Sequence, residues 1–368
     1  MRFVVIVCGL LACRSESRQA PAPAPAPAPE VGPDEVRLAD TLAPERIGVR
    51  TSAEADARVA KAFPNGPATE DARAEIGTAD PPLDRVGPDP QADWIAELAI
   101  TKAIELATLR AAISSVPPAT TMNGSHSIYG QTAAGAWEFA EHDDATGPYR
   151  RIAVTSYIAM LGLPLSADEL DAQIEFARAL FAKLDKRPPV FSMTKQDVLA
   201  KGAALEKLTS TLAEDVRSVE IAVMPPQGKK LPARLVWDVV YSAGFRWGDG
   251  DYFHWRPSPS TDVSQGIKLD TTSEPGYFMP EWIDKPEGRG LEDLHMSFDV
   301  LRTHQPEAVF EVMLRSARYM ARRLGGTVVT VDHKPFDEKT TRARVVKLVN
   351  RLNAEGVTPG SNLALTLF

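Results

Sequence analysis

From residue 218 onward the chain alternates short segments of period-two hydrophobicity with longer segments of helical periodicity. Residues 218–223 and 294–300 alternate apolar and polar side chains, which is the pattern of half-buried strands. Three longer segments place their apolar side chains on one helical face: residues 232–243, 307–324 and 337–353. Strands joined to such helices form an antiparallel sheet with helices on one face. The predicted fold class is therefore α+β.

Aromatic residues and glycines add a hairpin to this region. Residues 246–255 place a Gly-Asp-Gly-Asp turn between aromatic strand positions, and residues 327–331 form a further short strand. The chain has two cysteines, Cys8 and Cys13, both close to the N-terminus. We therefore expect no disulfide and no thiolate metal site in the folded part, which an apolar core must stabilise alone.

Several short motifs of this region resemble those of one protein family. They are Ala243-Gly244-Phe245, Gly248-Asp249, His254, Pro275-Gly276-Tyr277-Phe278, Pro280-Glu281, Leu314 with Ser316-Ala317, and Leu324-Gly325-Gly326 followed by Val328-Val329 and Asp332. In this order, over about residues 216–355, they are similar to the FtsZ-binding C-terminal domain of the bacterial cell-division protein ZipA. The resemblance implies a split β-α-β fold. It also implies that the exposed sheet face is a shallow apolar groove for the C-terminal peptide of FtsZ.

The family's groove positions can be transferred to this sequence one by one. The candidate partner-binding face then consists of Ser218, Glu220, Gly250, Tyr252, Thr272, His295 and Ser297. Only Tyr252 is a large aromatic residue, whereas peptide recognition in a groove depends on a few apolar or aromatic anchors. The resemblance therefore transfers the fold better than the ligand, and an ordinary solvated sheet face stays open as an alternative.

The N-terminus carries the features of an export or anchoring signal. Residues 1–13 place one positive charge before a short apolar segment, which is too short to span a bilayer as a helix. Leu10-Leu11-Ala12-Cys13 resembles a bacterial lipobox, in which the cysteine is lipidated. We predict lipidation at Cys13, with an uncleaved leader as the alternative. Residues 14–90 are rich in proline and alanine and are predicted to be a disordered linker.

The remaining chain divides into a middle α+β region, residues 91–215, and the ZipA-like domain, residues 216–368. In the middle region the sequence predicts one amphipathic helix over 94–113, a strand over 152–160, and helices opened by Ser166 and Thr194. The last helices of the two regions share residues at similar spacing. A diverged second ZipA-like copy is therefore one hypothesis, in which strands at 219–223 and 363–367 follow the paired helices and the first of these joins the copies.

Composition and motifs narrow the function. The net charge of −8 and the pI near 5.4 give no basic surface for nucleic acid. No His, Cys or Gly-rich motif of a metal, nucleotide or catalytic site occurs, so we predict no enzyme, no metal and no cofactor. The leading hypothesis is a membrane-tethered, FtsZ-binding protein of cell division and septum assembly. The alternative is an envelope lipoprotein that binds another partner through the same fold.

These two hypotheses place the protein differently. Both predict a membrane-associated protein of the bacterial cell envelope. A lipidated Cys13 places the folded domains outside the cytoplasm, whereas an uncleaved leader anchors a cytoplasmic domain to the inner membrane.

Overall fold

The alternating segments of the C-terminal region form one antiparallel sheet of six strands. Their order across the sheet is Arg246–Trp247, Phe253–Trp255, Ile267–Asp270, Leu294–Asp299, Ser218–Met224 and Thr327–Val329. In the computed structural model, the described residues are 52–63, 75–80, 86–119, 126–212, 218–283 and 290–368. We call residues 86–212 the first lobe and residues 218–368 the second lobe. The strands of the second lobe are β8 (Ser218–Met224), β9 (Leu231–Pro232), β10 (Arg246–Trp247), β11 (Phe253–Trp255), β12 (Ile267–Asp270), β13 (Gly290–Leu291), β14 (Leu294–Asp299) and β15 (Thr327–Val329).

Helices cover one face of this sheet. The second lobe contains α5 (Ala233–Ser242), α6 (Pro306–Leu324) and α7 (Glu338–Ala354), and it ends in the short helix α8 (Asn362–Leu367), which contacts the first lobe. The buried Trp237 of α5 lies 4.7 Å, centroid to centroid, from the ring of Phe253 on β11. Helix α6 packs on β8 and α7 packs on α6. The α+β class and the antiparallel sheet with helices, predicted from the sequence, are confirmed.

The strands of the first lobe are β1 (Asp93–Ile104), β2 (Ser127–Thr132), β3 (Trp137–Phe139), β4 (Tyr149–Tyr157), β5 (Ala159–Met160), β6 (Leu163–Pro164) and β7 (Val190–Phe191). Five of them form a second antiparallel sheet in the order β3-β2-β4-β1-β7, and β5 pairs with β6. The helices of this lobe are α2 (Leu106–Ser114), α3 (Ala167–Leu184) and α4 (Lys195–Leu212). The predicted caps are present: Ser166 accepts a hydrogen bond from the Glu169 N–H, and Thr194 accepts one from the Asp197 N–H.

Two predictions of secondary structure were wrong. The expected helix over 94–113 is strand β1 followed by the shorter helix α2. The start of β1 is buried on both faces, with Trp94 and Ala96 on one and Asp93 and Ile95 on the other, so the sequence lacks the alternation typical of a half-buried strand. The expected strand over 363–367 is helix α8, whose first turn is capped by the hydroxyl of Ser361 accepting from the Ala364 N–H.

Part of the predicted linker is folded onto the second lobe. Residues Ser52–Ala62 form helix α1, and the Asp56 carboxylate accepts a hydrogen bond of 2.9 Å from the Tyr241 hydroxyl. Further along, Glu75 forms an ion pair of 2.6 Å with Arg322 on α6. Residues 1–51, which include Cys13 and the start of the linker, lie outside the described residues. Within the described ranges, no helix is both long enough and apolar enough to cross a membrane.

The two lobes share an order of elements. Strand β4, helix α3, strand β7 and helix α4 follow one another as do β14, α6, β15 and α7. In each sheet the earlier strand, β1 or β8, lies between the two. This common order is what a diverged duplication would produce, and the duplication stays a hypothesis. Strand β8, which the hypothesis makes the joint between the copies, follows α4 in the chain and pairs with β14 and β15 of the second sheet.

Candidate interaction face of the second lobe

The sheet of the second lobe has an open face opposite its helices. Residues that pair directly on neighbouring strands point to the same side of a sheet. The register pairs His295 with Asp270 and Ala222, and Ser297 with Lys268 and Glu220. These side chains alternate with buried residues such as Leu269 and Met296, so they lie on the open face. We call this set the polar face: Ser218, Glu220, His254, Lys268, Asp270, His295, Ser297 and Asp299.

A chain of ionisable groups lies at the centre of the polar face. His295 Nδ1 is 3.2 Å from Asp270 Oδ1, and His295 Nε2 is 3.8 Å from Glu220 Oε2. Lys268 Nζ lies 2.6 Å from the other Asp270 oxygen, Oδ2. Among the residues that the structure describes, His295 Nε2 has no hydrogen-bond partner. One carboxylate therefore contacts both basic side chains, and the other imidazole nitrogen, Nε2, is buried beside Glu220.

These contacts shift the proton affinities of the central pair. The hydrogen bond to Asp270 raises the pKa of His295, against the opposing effect of burial, and the nearby carboxylates of Asp270, Glu220 and Asp293 add to the rise. Burial alone would raise the pKa of Asp270, but its hydrogen bonds with His295 and Lys268 lower it overall. The contacts thus favour the imidazolium–carboxylate form of the pair over its neutral form.

The remaining predicted face residues lie around this centre. Lys268 Nζ is 4.5 Å from the centroid of the Tyr252 ring, so Tyr252 borders the polar face. Gly250 has a φ of 65°, and a Cβ there would lie 2.8 Å from the Tyr252 ring, so a side chain would displace that ring. Thr272 lies beyond the end of β12, where its hydroxyl donates a 2.7 Å hydrogen bond to Asp293 Oδ2.

The structure therefore brings five of the seven predicted residues together, places Gly250 against the Tyr252 ring and leaves Thr272 apart. Ser218, Glu220, His295 and Ser297 are neighbours on β8 and β14, with Tyr252 at their border. Thr272 belongs to a loop whose conformation is stabilised by hydrogen bonds to the Asp293 carboxylate. Sequence reasoning missed Lys268 and Asp270. Their signal was the alternation Ile267, Lys268, Leu269, Asp270, which predicts two charged side chains on the face opposite the core.

The corresponding face of the first lobe is more apolar. Its paired positions include Ile95, Tyr129, Trp137, Phe139 and Val190. The rings of Tyr129 and Phe139 lie 5.6 Å apart, and the Arg151 guanidinium is 5.8 Å from the Trp137 ring centroid. Aromatic side chains of the kind expected in a peptide groove are thus concentrated on the first lobe.

We expect the Asp270→Asn substitution to lower the pKa of His295, because it removes the charge that most stabilises the imidazolium. A raised pKa means that His295 contributes stability below its unfolded pKa of about 6.5 and loses that contribution as pH rises through the folded value. NMR titration of the His295 ring protons measures the shift. The matched variant Glu220→Gln should lower the pKa of His295 less, because the Glu220 carboxylate lies 3.8 Å from the imidazole, whereas the Asp270 carboxylate lies 3.2 Å from it. An unchanged His295 pKa in Asp270→Asn would contradict the assignment.

The comparisons with known proteins match the second lobe. Residues 217–345 match the family described as ZipA, C-terminal FtsZ-binding domain, which confirms the resemblance found in the sequence. The chain is also similar to the cell division protein ZipA of Actinobacillus succinogenes, with 24% identity over 161 residues. That alignment covers 44% of this chain and 46% of the relative, so it includes less than half of either protein.

Proposed function

We propose that this chain is a membrane-tethered, non-catalytic protein of bacterial cell division whose second lobe binds FtsZ. One observation carries the proposal: the family match at 217–345 covers the sheet of the second lobe together with helices α5 and α6. That family is defined by binding FtsZ, and the relative with a matching segment is a cell division protein. Family membership also supports the absence of catalysis, because the family's role is binding.

In this proposal the partner is a peptide that lies across the open face. Tyr252 would supply the aromatic contact, and Lys268 would supply a positive charge beside it, since its ammonium lies 4.5 Å from the ring centroid. A shared Asp270 carboxylate holds both Lys268 and His295 in place. A face with these cations favours a peptide that carries acidic side chains next to its apolar anchors.

Tethering is proposed from the sequence of the first residues. The short apolar segment before Cys13 and the proline-rich segment after it resemble the start of a lipoprotein. Such an anchor would place the protein at the cell envelope without a membrane-spanning helix.

A second candidate function rests on the chemistry of the polar face. An envelope lipoprotein could use the same fold for a partner other than FtsZ. The observation that favours it is the Lys268–Asp270–His295–Glu220 chain, which occupies the centre of the face where the family has an apolar groove. Charged groups at the centre of an interface select a charged partner and disfavour a purely apolar peptide.

Peptide binding by the full-length protein tests the proposal. We expect a fluorescent FtsZ C-terminal peptide to bind in an anisotropy titration of the detergent-solubilised chain. Tyr252→Ala should weaken binding at least about tenfold, as aromatic anchors do. The control Lys334→Ala changes an exposed loop cation on the connection between β15 and α7 and should leave affinity unchanged.

Three other results would redirect the assignment. No binding by the wild-type chain favours the second candidate function. Equal binding by wild type and Tyr252→Ala removes the polar face as the FtsZ site. Loss of binding in Trp137→Ala alone would place the site on the first lobe.

A further inference from the structure

A cavity of about 450 Å³ lies where the two lobes meet. The first lobe contributes Asp93, Tyr129 and Tyr157, and the second contributes Arg302, Asn362 and Leu365. The lobes are joined beside it by a hydrogen bond of 2.8 Å from the Leu161 N–H to the Thr366 carbonyl. The cavity is thus a feature of the assembled pair of lobes, and it is separate from the polar face.

Asp93 is unusual among the residues that line the cavity, because it is only 5% exposed and only one of its two carboxyl oxygens has a hydrogen-bond partner. Its Oδ2 accepts a hydrogen bond of 2.9 Å from the Asp89 N–H. Among the residues that the structure describes, its Oδ1 has no hydrogen-bond partner. Burying a polar oxygen without a partner is costly, so native structures rarely leave one. A carboxylate oxygen that lines a cavity in this condition indicates a missing donor.

The tyrosines define what kind of donor fits. Tyr157 is paired directly with Asp93 in the sheet register, so the two side chains start on the same face. Tyr129 and Tyr157 line the same cavity as Asp93. Burial, and after it the charge of Asp93, raises the pKa of both phenols. A carboxylate with aromatic side chains around it is the combination that binds organic ammonium ions.

The other charged groups near the cavity leave this chemistry available. Lys201 Nζ donates a 3.0 Å hydrogen bond to the Pro90 carbonyl, so its ammonium is used outside the cavity wall. Arg302 also lines the cavity, and it donates to the Leu365 carbonyl at 3.4 Å and to the Ser264 hydroxyl at 3.1 Å. The lining of the cavity therefore includes one carboxyl group and one guanidinium group.

We propose that this inter-lobe cavity binds a small ligand through a primary ammonium group, which donates a hydrogen bond to Asp93 Oδ1 beside Tyr129 and Tyr157. A carboxylate at the other end of a zwitterionic ligand would meet Arg302.

Burial raises the pKa of Asp93 to about 7, so the carboxylate is only partly charged at neutral pH. Binding of a cation favours the ionised form, and affinity for an amine therefore rises between pH 6 and pH 8. Besides burial, Asp89 and Lys201 act on the pKa of Asp93. The other titratable or charged groups that line the cavity are Tyr129, Tyr157 and Arg302.

Ligand-observed NMR with the full-length protein tests the site. The probes are n-butylamine, n-butanol, glycylglycine and N-acetylglycylglycine, each measured at pH 6 and pH 8. We expect n-butylamine and glycylglycine to bind, and the two probes without a free amine not to bind. Tighter binding of glycylglycine than of n-butylamine supports a zwitterionic ligand, and equal binding supports a simple amine.

Variants distinguish this site from nonspecific association. Asp93→Asn keeps the shape and the acceptor for the Asp89 N–H, and it should weaken amine binding at least tenfold. Tyr157→Ala, at a position 41% exposed, should also weaken binding without changing the carboxylate. Asp143→Asn changes an exposed loop carboxylate of the same lobe and should bind as wild type does. Equal amine binding by Asp93→Asn and wild type, or no amine binding at all, would overturn the proposal.

Discussion

The Asp93→Asn variant is expected to be more stable than the wild-type protein at pH 8 and about equally stable at pH 4. Burial raises the pKa of Asp93 to about 7 in the folded state, from a value of 3.8. The folded chain therefore holds this proton more tightly than the unfolded chain. The contribution of this bound proton to the free energy of unfolding is fully present below pH 4, and it is lost as the pH rises towards and through 7.

The size of this effect follows from the shift. At 1.36 kcal/mol for each pKa unit, ionising Asp93 in place costs the folded state up to about 4 kcal/mol above pH 7. Asparagine carries no charge and can still accept the hydrogen bond from the Asp89 N–H, which is 2.9 Å long in the wild type. The substitution should therefore remove most of that cost and flatten stability between pH 4 and pH 8.

Urea unfolding at several pH values measures this difference. The exposed control Asp143→Asn should follow the wild-type curve throughout. A variant that is less stable than the wild type at pH 8 would contradict the predicted cost of ionising Asp93. A carboxylate kept at a cost to stability is more often found at a binding site than in a purely structural position.

The sequence predicted the second lobe well because its signals are local. Helices α5, α6 and α7 begin and end within about two residues of their predicted bounds, since each has one apolar face and clear ends. Gly325, with a φ of 68°, ends α6 where the Gly-Gly pair predicted it. Strand β14 follows from strict alternation of buried and half-buried residues, and β8 alternates in the same way from Ser218 to Ile221.

Elements stabilised by distant contacts were missed. Helix α1 buries only Ala55 and Val59 among its side chains, so its apolar signal is weak and its position depends on the second lobe. Its composition of alanine and charged residues was typical of the linker around it. The position of α8 also depends on a distant part of the chain, because the Leu161 N–H of the first lobe donates a hydrogen bond to the Thr366 carbonyl of this helix.

The candidate sites show the same limit. Alternation could place Glu220 and His295 on one face, but not show that Asp270 lies 3.2 Å from His295, because that contact depends on strand order. The inter-lobe cavity was not predictable at all. Asp93 and Arg302 come from different lobes, and no local pattern shows that the two lobes close around a common space.

Replacing Cys13 by alanine should release the protein from membranes almost completely. The apolar segment before Cys13 is about half of the roughly 20 residues that a membrane-spanning helix requires. The alternating alanine and proline residues that follow have no amphipathic face that could bind a bilayer surface. If the proposal is right, acyl chains on Cys13 are the anchor, and they bind by burying methylenes at about 0.8 kcal/mol each.

Membrane fractionation and labelling with a radioactive fatty acid measure both parts of this prediction. The control Cys8→Ala changes the other cysteine of the same segment and should leave fractionation and labelling unchanged. A Cys13→Ala protein that stays in the membrane fraction would show that the leader is an uncleaved anchor.

The same experiment decides between the two proposed functions, because FtsZ is cytoplasmic. A lipidated Cys13 would place the folded lobes outside the cytoplasm, where FtsZ affinity measured in solution has no cellular counterpart. The charged polar face around His295 and Asp270 would then bind a different partner in the cell envelope. An uncleaved leader would keep the lobes in the cytoplasm, and FtsZ would become the expected ligand despite that charge. Adding protease to intact cells, and then to lysed cells, distinguishes these two topologies.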